Sequence, residues 1–349
     1  MKCEGVLLKK CRFHQEYRHT SLRIAKKTLS LPKQISNLKQ RLMTQKNLFQ
    51  WLLAMLALLP LSNVMNAQGT SGRLELVVSN EKDFINALGN ERTIILREGT
   101  HLNLSKVLED KSLFVQPGRA FLEDAANRPK KASSMIISEA IFDGRQLTLT
   151  EFHDLTIRGE RDCQIVVEPR YAFVLSFINC RNISIECLTL GHTEEGYCMG
   201  GVVGLIGCDI VTIESCDMYG CGTYGIEAET SQVLRVFRSI IRDCSYGIMV
   251  LRDIQDAIFI NCDFYRNREF GLLNVYENCR QIHFDDCRFA QNKGLLFNLE
   301  TEVEFYNCEV HHTGEIGELE DYNQGPSIEV LIDDNPLPEK NIGPRGAIQ

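Results

Sequence analysis

The chain has 349 residues, 24% of them charged, and a net charge of −8. The charge is split: residues 1–46 hold twelve Lys or Arg against Glu4 and Glu16, which leaves about −18 for residues 68–349. A body this acidic argues against nucleic acid as a partner, because that affinity rests on Lys and Arg neutralising phosphates, and it gives no electrostatic help in holding acidic polysaccharides.

In chain order the first feature is Leu48 to Leu61, LFQWLLAMLALLPL, an uncharged run shorter than the ~20 residues that span a bilayer. It reads as the apolar core of a signal peptide over 43–67, cut between Ala67 and Gln68, with Met65 an unusually large residue at the −3 position. Residues 1–42 then read as an upstream extension from a mis-assigned start. An organellar transit segment and a buried helix are the alternatives. No Cys follows the run, so a lipid anchor is not indicated. The expectation is an exported protein, periplasmic or secreted to the cell surface, with no transmembrane segment after signal removal.

Residues 74–104 predict a strand (LELVV), a short helix (EKDFINAL) capped by Ser79 or Asn80, and a strand piece (TIILREGTHLNL), together an N-terminal cap. Residues 106–134 break the strand pattern and read as a loop insertion. Irregular coils follow in LTLTEFHDLTIRG and CQIVVEPRYAFVLSF.

From 178 to 313 the chain repeats itself: NISIECLTL, IVTIESCDM, VLRVFRSII, DAIFINCDF, QIHFDDCRF, EVEFYNCEV. An apolar position (Ile185, Ile213, Val236, Phe259, Phe284, Phe305) recurs at steps of 28, 23, 23, 25 and 21 residues. A small position follows it (Leu188, Cys216, Ser239, Cys262, Cys287, Cys308). Two further columns, Cys180/Cys208/Ser231/Ile254/Cys279 and Cys221/Cys244/Asn267/Asn292, fall at bends. A strand-like piece opening on Gly225, Gly247, Gly271 or Gly294 completes each unit, so a coil holds at least two strands. Such a period means a solenoid. A leucine-rich repeat would place a helix in the second half, whereas this half is strand-like. The predicted class is all-β: a single-stranded right-handed parallel β-helix over 68–313, followed by an acidic Gly/Pro-rich cap or tail over 314–349.

Twelve Cys lie beyond Ala67. An even count in an exported chain suggests disulfides, but stacking in register favours free buried thiols packed as small apolar groups. In-register neighbours stand slightly beyond the ~3.5–4.5 Å between Cβ atoms that a disulfide takes.

The opening strand, helix and TIILREGTHLNL piece, followed by coils with NC, C and YGI elements, resembles the pectate-lyase-like right-handed β-helix superfamily, in particular secreted right-handed β-helix repeat proteins of Bacteroidetes type. The resemblance covers 74–313 and is specific for the fold. It implies chemistry on an outer sheet face: polysaccharide lyases with Ca²⁺-binding carboxylates beside an Arg or Lys base, or glycoside hydrolases. The chain lacks an NTD or a G-DD followed by GHG, and no lyase motif transfers residue by residue. The leading expectation is binding, with processing in an enzymatic version, of a polysaccharide or cell-surface glycan. The alternative is a non-catalytic structural or adhesive solenoid.

Two places concentrate chemistry. The longest step contains LGHTEEGYCMGGVVG, where His192, Glu194, Glu195 and Tyr197 share one loop and a GG pair lets the backbone return tightly. In GIEAE, Glu227 and Glu229 alternate with Ile226 and Ala228, so both carboxylates point outward about 7 Å apart, a spacing suited to Ca²⁺ or to an acid and base pair; Val203 and Met249 are expected to flank Glu227. The candidate catalytic residues are thus Glu227, Glu229, His192 and Glu195. The candidate sugar-binding residues are Tyr197, Tyr219, Tyr265 and Arg252. Tyr224, Tyr246 and Phe270 are expected to stack as a ladder, Arg252 to pair with Asp253, and Asp243 with Arg266. No dedicated metal ligands are assigned; Ca²⁺ is the one cofactor considered.

Overall fold

The computed structural model describes residues 73–114, 134–193, 200–220, 224–311 and 328–331. The expected signal peptide, the segment before it and most of the acidic tail lie outside them. Three sheets wind together. Sheet I runs from Leu74–Val78 and Arg92–Leu96 through His153–Gly159 to Val303–Tyr306, nine strands all parallel. Sheet II runs from His101–Asn103 to Cys308–His311 and gains a last strand from Ile328–Leu331, within the region expected to be tail. Sheet III has eight strands: seven from Gly144–Thr150 to Lys293–Leu299, closed at the first edge by an eighth, the antiparallel strand Met135–Ile141.

Each coil therefore holds three strands. The segments that read as one unit, such as NISIECLTL, split into Arg181–Glu186 and Thr189–His192. The split is made by a single residue in the left-handed region: Cys187, Ser215, Arg238, Asn261, Asp286 and Asn307 have φ of 47° to 54°. Among the described residues eighteen non-glycine residues take positive φ against four glycines, so the bends do not depend on glycine. The conformation costs an L residue about 1–2 kcal/mol. It is offset because the bend residue stays in the inter-coil ladder: Cys187 N donates to Glu214 O at 2.9 Å, Ser215 N to Phe237 O at 2.9 Å, and Asn261 N to Asp285 O at 2.9 Å.

The residue after the bend points inward, which is why this column is small. Cys216, Cys262, Cys287 and Cys308 are each about 1% exposed or less, and their thiols lie 3.3–3.5 Å from a carbonyl of their own coil and one of the coil before. Ser239 does the same with a stronger donor, giving a hydrogen bond to Phe237 O at 2.8 Å and accepting one from Cys216 N at 3.1 Å. No disulfide joins the ten described cysteines to one another. Burial pushes the Cys216 thiol up to about 12, so it stays protonated and inert.

The core is a set of stacked columns. Ile157, Ile185, Ile213, Val236, Phe259, Phe284 and Phe305 lie in register in sheet I, all 0% exposed. The later coils swap aliphatic for aromatic rings, and Phe259 and Phe284 stack at 4.5 Å with 7° between planes. At the open first end the helix Glu81–Ala87 buries Phe84, Ile85 and Ala87. Asn80 is its N-cap, its Oδ1 accepting from Asp83 N at 2.9 Å.

Candidate functional site

Strand alternation in sheet III turns Ile226 and Ala228 into the core at 0% exposure and Glu227 and Glu229 outward. The register places Glu227 between Gly204 and Val250. Val203 and Met249, expected beside it, are one residue out of register and face inward with Ile226. The space that a side chain at Gly204 would need is taken by the ring of Phe173.

Glu227 is not free. Its Oε1 accepts a hydrogen bond from Arg252 Nη1 at 2.7 Å, with both side chains about one-third exposed. Arg252 is in register with Glu229, so its side chain crosses diagonally to Glu227 and leaves Glu229 exposed. It pairs neither with Glu229 nor with Asp253, the partner expected from sequence, which takes φ of 52° at the bend. The guanidinium then lies 5.0 Å over the ring of Tyr276. Burial opposes the charge on Arg252, but the hydrogen bond and charge of Glu227 outweigh it and hold its pKa above the ordinary value. A guanidinium held so firmly as a cation is poorly suited to accept a proton.

The same face continues upward. Asn274 Nδ2 donates to Tyr224 Oη at 3.4 Å, and Asn298 Nδ2 donates to Asn274 Oδ1 at 2.8 Å. Burial, reinforced by the negative charges near it, pushes the Tyr224 phenol up to about 12, so it stays a neutral donor. Beyond it Tyr246 and Phe270 stack at 4.9 Å, and Phe270 is 56% exposed. The ring of Tyr224 leaves this ladder and packs instead against Gly247. The result is a continuous outer patch of Tyr224, Glu227, Arg252, Asn274, Tyr276 and Asn298, with an aromatic pair at its margin. Asn274 and Asn298 were hidden in sequence because a register shift between Arg268 and Gly271 offsets GLLNVY from GLLFNL by one residue. The outward direction of Glu227 and Glu229 follows from alternation in the sequence.

The other sequence candidates lie elsewhere. Glu195 and Tyr197 fall outside the described residues. His192 ends a strand of sheet II and turns inward at 4% exposure, its Nε2 donating to Ala172 O at 3.0 Å. Burial lowers its pKa to about 4, and it shares no contact with Glu227. The GG pair after its loop does return tightly: a side chain at Gly200 would run into the backbone of Arg170 to Ala172.

Tyr219 and Tyr265 lie on the outer face of sheet II under a lattice of ion pairs. Arg242 grips Asp217 with two bonds of 2.9 Å and reaches Asp243 at 2.8 Å, and Arg266 holds Asp243 at 2.8 and 2.9 Å, as the shared column predicted. Arg242 covers the Tyr219 ring at 4.6 Å, while the ring body fills the space above Gly191. Tyr265 is 5% exposed, packed with Ile240 and Ala290, with Arg266 at 5.0 Å from its ring. Neither ring offers an open face to a sugar. A cleft of about 330 Å³ lined by Arg280, His283, Thr301, Glu302 and Glu304 lies at a different corner and contains none of the predicted residues.

Residues 173–331 match the family described as the right handed beta helix region. Together with the stacked parallel coils, this match agrees with the right-handed parallel β-helix superfamily. No curated protein matches the chain. Among the described residues no helix is long and apolar enough to cross a membrane.

Proposed function

We propose that this right-handed parallel β-helix is exported and binds a carbohydrate chain, without cleaving it, on the outer face of sheet III. The observation that carries the reading is the patch from Tyr224 to Asn298, where a paired cation and carboxylate, the part-buried Asn298 amide, the Tyr224 phenol and the exposed ring of Phe270 share one rigid face. These are the donors, acceptors and ring faces that sugar hydroxyls and pyranose faces take. Binding rather than cleavage is proposed because, among the described residues, Glu227 is engaged by the Arg252 guanidinium and His192 is buried away from them.

The test is a screen of neutral and acidic glycans against the purified protein, with and without Ca²⁺, followed by calorimetry on hits. Arg252→Ala and Tyr276→Ala should each weaken binding about tenfold or more, the scale of an interface hot spot. Binding unaffected by both substitutions would place the glycan elsewhere, and no binding to any glycan would favour the adhesive scaffold. Sequencing the N-terminus of the protein recovered outside the cytoplasm tests export, with Gln68 expected as the first residue.

A further inference from the structure

Where the N-terminal cap joins the solenoid, three side chains from two stacked coils converge. Glu91, His153 and Asp154 each bring one ligand atom, and these atoms all lie within 4.8 Å of one another. Glu91 and His153 are far apart in sequence but adjacent in the ladder: Arg92 pairs with Leu155, which sets Glu91 over Asp154, and Glu91 N donates to His153 O at 3.2 Å. Successive strand residues ordinarily face opposite sides. Asp154 takes φ of 55°, which breaks that alternation and swings its carboxylate to the imidazole, with Oδ2 3.0 Å from Nδ1.

The surroundings hold the three in place. Asp154 Oδ1 is engaged by Asn182 Nδ2 of the next coil and, on the solvent side, by Arg73 at 3.5 Å. His153 N donates to Asn90 Oδ1 at 3.0 Å, and Asn90 Nδ2 donates to Ser134 Oγ at 2.8 Å, which anchors the turn that carries Glu91. Oriented ligands backed by such outer partners are what metal sites require.

We propose that Glu91, His153 and Asp154 bind a divalent first-row cation, with Zn²⁺ the best fit, whose remaining positions are filled by water. Two carboxylates supply a charge of −2 against the cation, partly offset by Arg73 at 3.5 Å from Asp154, and the imidazole adds a nitrogen ligand. The imidazole selects a borderline metal over Ca²⁺, which takes oxygen ligands throughout. Half-exposure of the site leaves room for water. The ion would tie the coil entered at Glu91 to the coil entered at His153, so its effect is to lock the first coils together.

The test uses the full chain, stripped with chelator and titrated calorimetrically with ZnCl₂, MnCl₂ and CaCl₂, with Co²⁺ absorption as a spectroscopic readout. The expected result is a saturable site with Zn²⁺ tighter than Ca²⁺ and a melting temperature that rises with Zn²⁺. His153→Gln and Glu91→Gln should each weaken that site at least about tenfold and remove the matching Co²⁺ bands; Asn182→Ala, acting only through Asp154, should weaken it less. Glu91 is exposed, so Glu91→Gln leaves packing intact and decides the matter should His153→Gln fail to fold. Absence of a saturable site, a site indifferent to both substitutions, or Ca²⁺ binding as tightly as Zn²⁺ would each overturn the proposal.

Discussion

Replacing Asn267 by Ala should destabilise the protein far more than its size suggests. Asn267 is 0% exposed and occupies the inward position after a bend. Its Oδ1 accepts from Cys244 N at 3.0 Å, and its Nδ2 donates to Ile241 O at 3.1 Å and to Asn292 Oδ1 at 3.1 Å. Alanine removes these bonds and leaves a buried backbone donor without that acceptor. At about 1 kcal/mol per bond plus the penalty for a stranded buried group, the cost is about 2–4 kcal/mol. Asn267→Ser should recover about half of it, because Ser231, at another bend, accepts from Cys208 N at 3.0 Å while donating to Glu229 O at 3.1 Å. Urea unfolding followed by circular dichroism gives the two free energies, and amide exchange in the peptide containing Cys244 reports the local bond. A loss under about 0.5 kcal/mol for the Ala variant, or Ser no better than Ala, would refute the view that bend side chains carry the ladder through the corners.

Phe284→Ala should cost about 3–5 kcal/mol in the same unfolding assay, since the ring is fully buried between Phe259 and Phe305 and its loss opens a cavity that the flanking coils hold apart. Alkylation of the native protein followed by peptide mapping should modify Cys187 alone among the ten described cysteines, because the other nine are buried; alkylation after denaturation without reductant should modify all ten. His192 gives a pH dependence: its folded pKa of about 4 lies below the unfolded 6.5, so the unfolded state binds the extra proton and stability falls as pH drops from about 6.5 to about 4, by roughly 3 kcal/mol in all. His192→Gln should flatten that part of the profile, and an unchanged slope in unfolding free energy against pH would show that other groups set it.

The period of the repeat was legible because stacking forces equivalent residues into register, and steps of 23 residues such as Ile213 to Val236 to Phe259 carry that directly. The third strand of each coil was not, because the corner between sheets I and II is one residue wide and held by Cys187, Ser215, Arg238, Asn261, Asp286 and Asn307. None of these is a glycine or a proline, and only Asn261, Asp286 and Asn307 are of types that tolerate the left-handed region, so composition punctuates the bend in part. What holds Cys187, Ser215, Arg238, Asn261 and Asp286 there is the hydrogen bond that each N–H keeps with the next coil, a tertiary fact with no local trace. The outward orientation of Glu227 was legible from alternation, but its partner was not. Spacing alone pairs Glu229 with Arg252, and the diagonal choice of Glu227 becomes visible only when the side chain is seen crossing toward Tyr276.

The same register explains why chemistry gathers in some places and not in others. A residue two strands deep in a parallel stack has a coil above and a coil below, so an outward side chain is free only if its neighbours are short or paired away. On sheet II the neighbours of Tyr219 and Tyr265 are arginines long enough to fold over them and be held there by Asp217 and Asp243. On sheet III the column through Glu227 passes Gly204, Val250, Asn274 and Asn298, of which Val250 and Asn274 are 1% and 6% exposed, and Arg252 lies over Tyr276; what this face presents to solvent is Glu229, Phe270 and the one-third-exposed Glu227 and Arg252 pair. The groups that the proposed ligand could reach on sheet III are therefore the exposed ones, which makes Arg252 and Phe270, rather than the buried Val250, the positions at which substitution reads out binding.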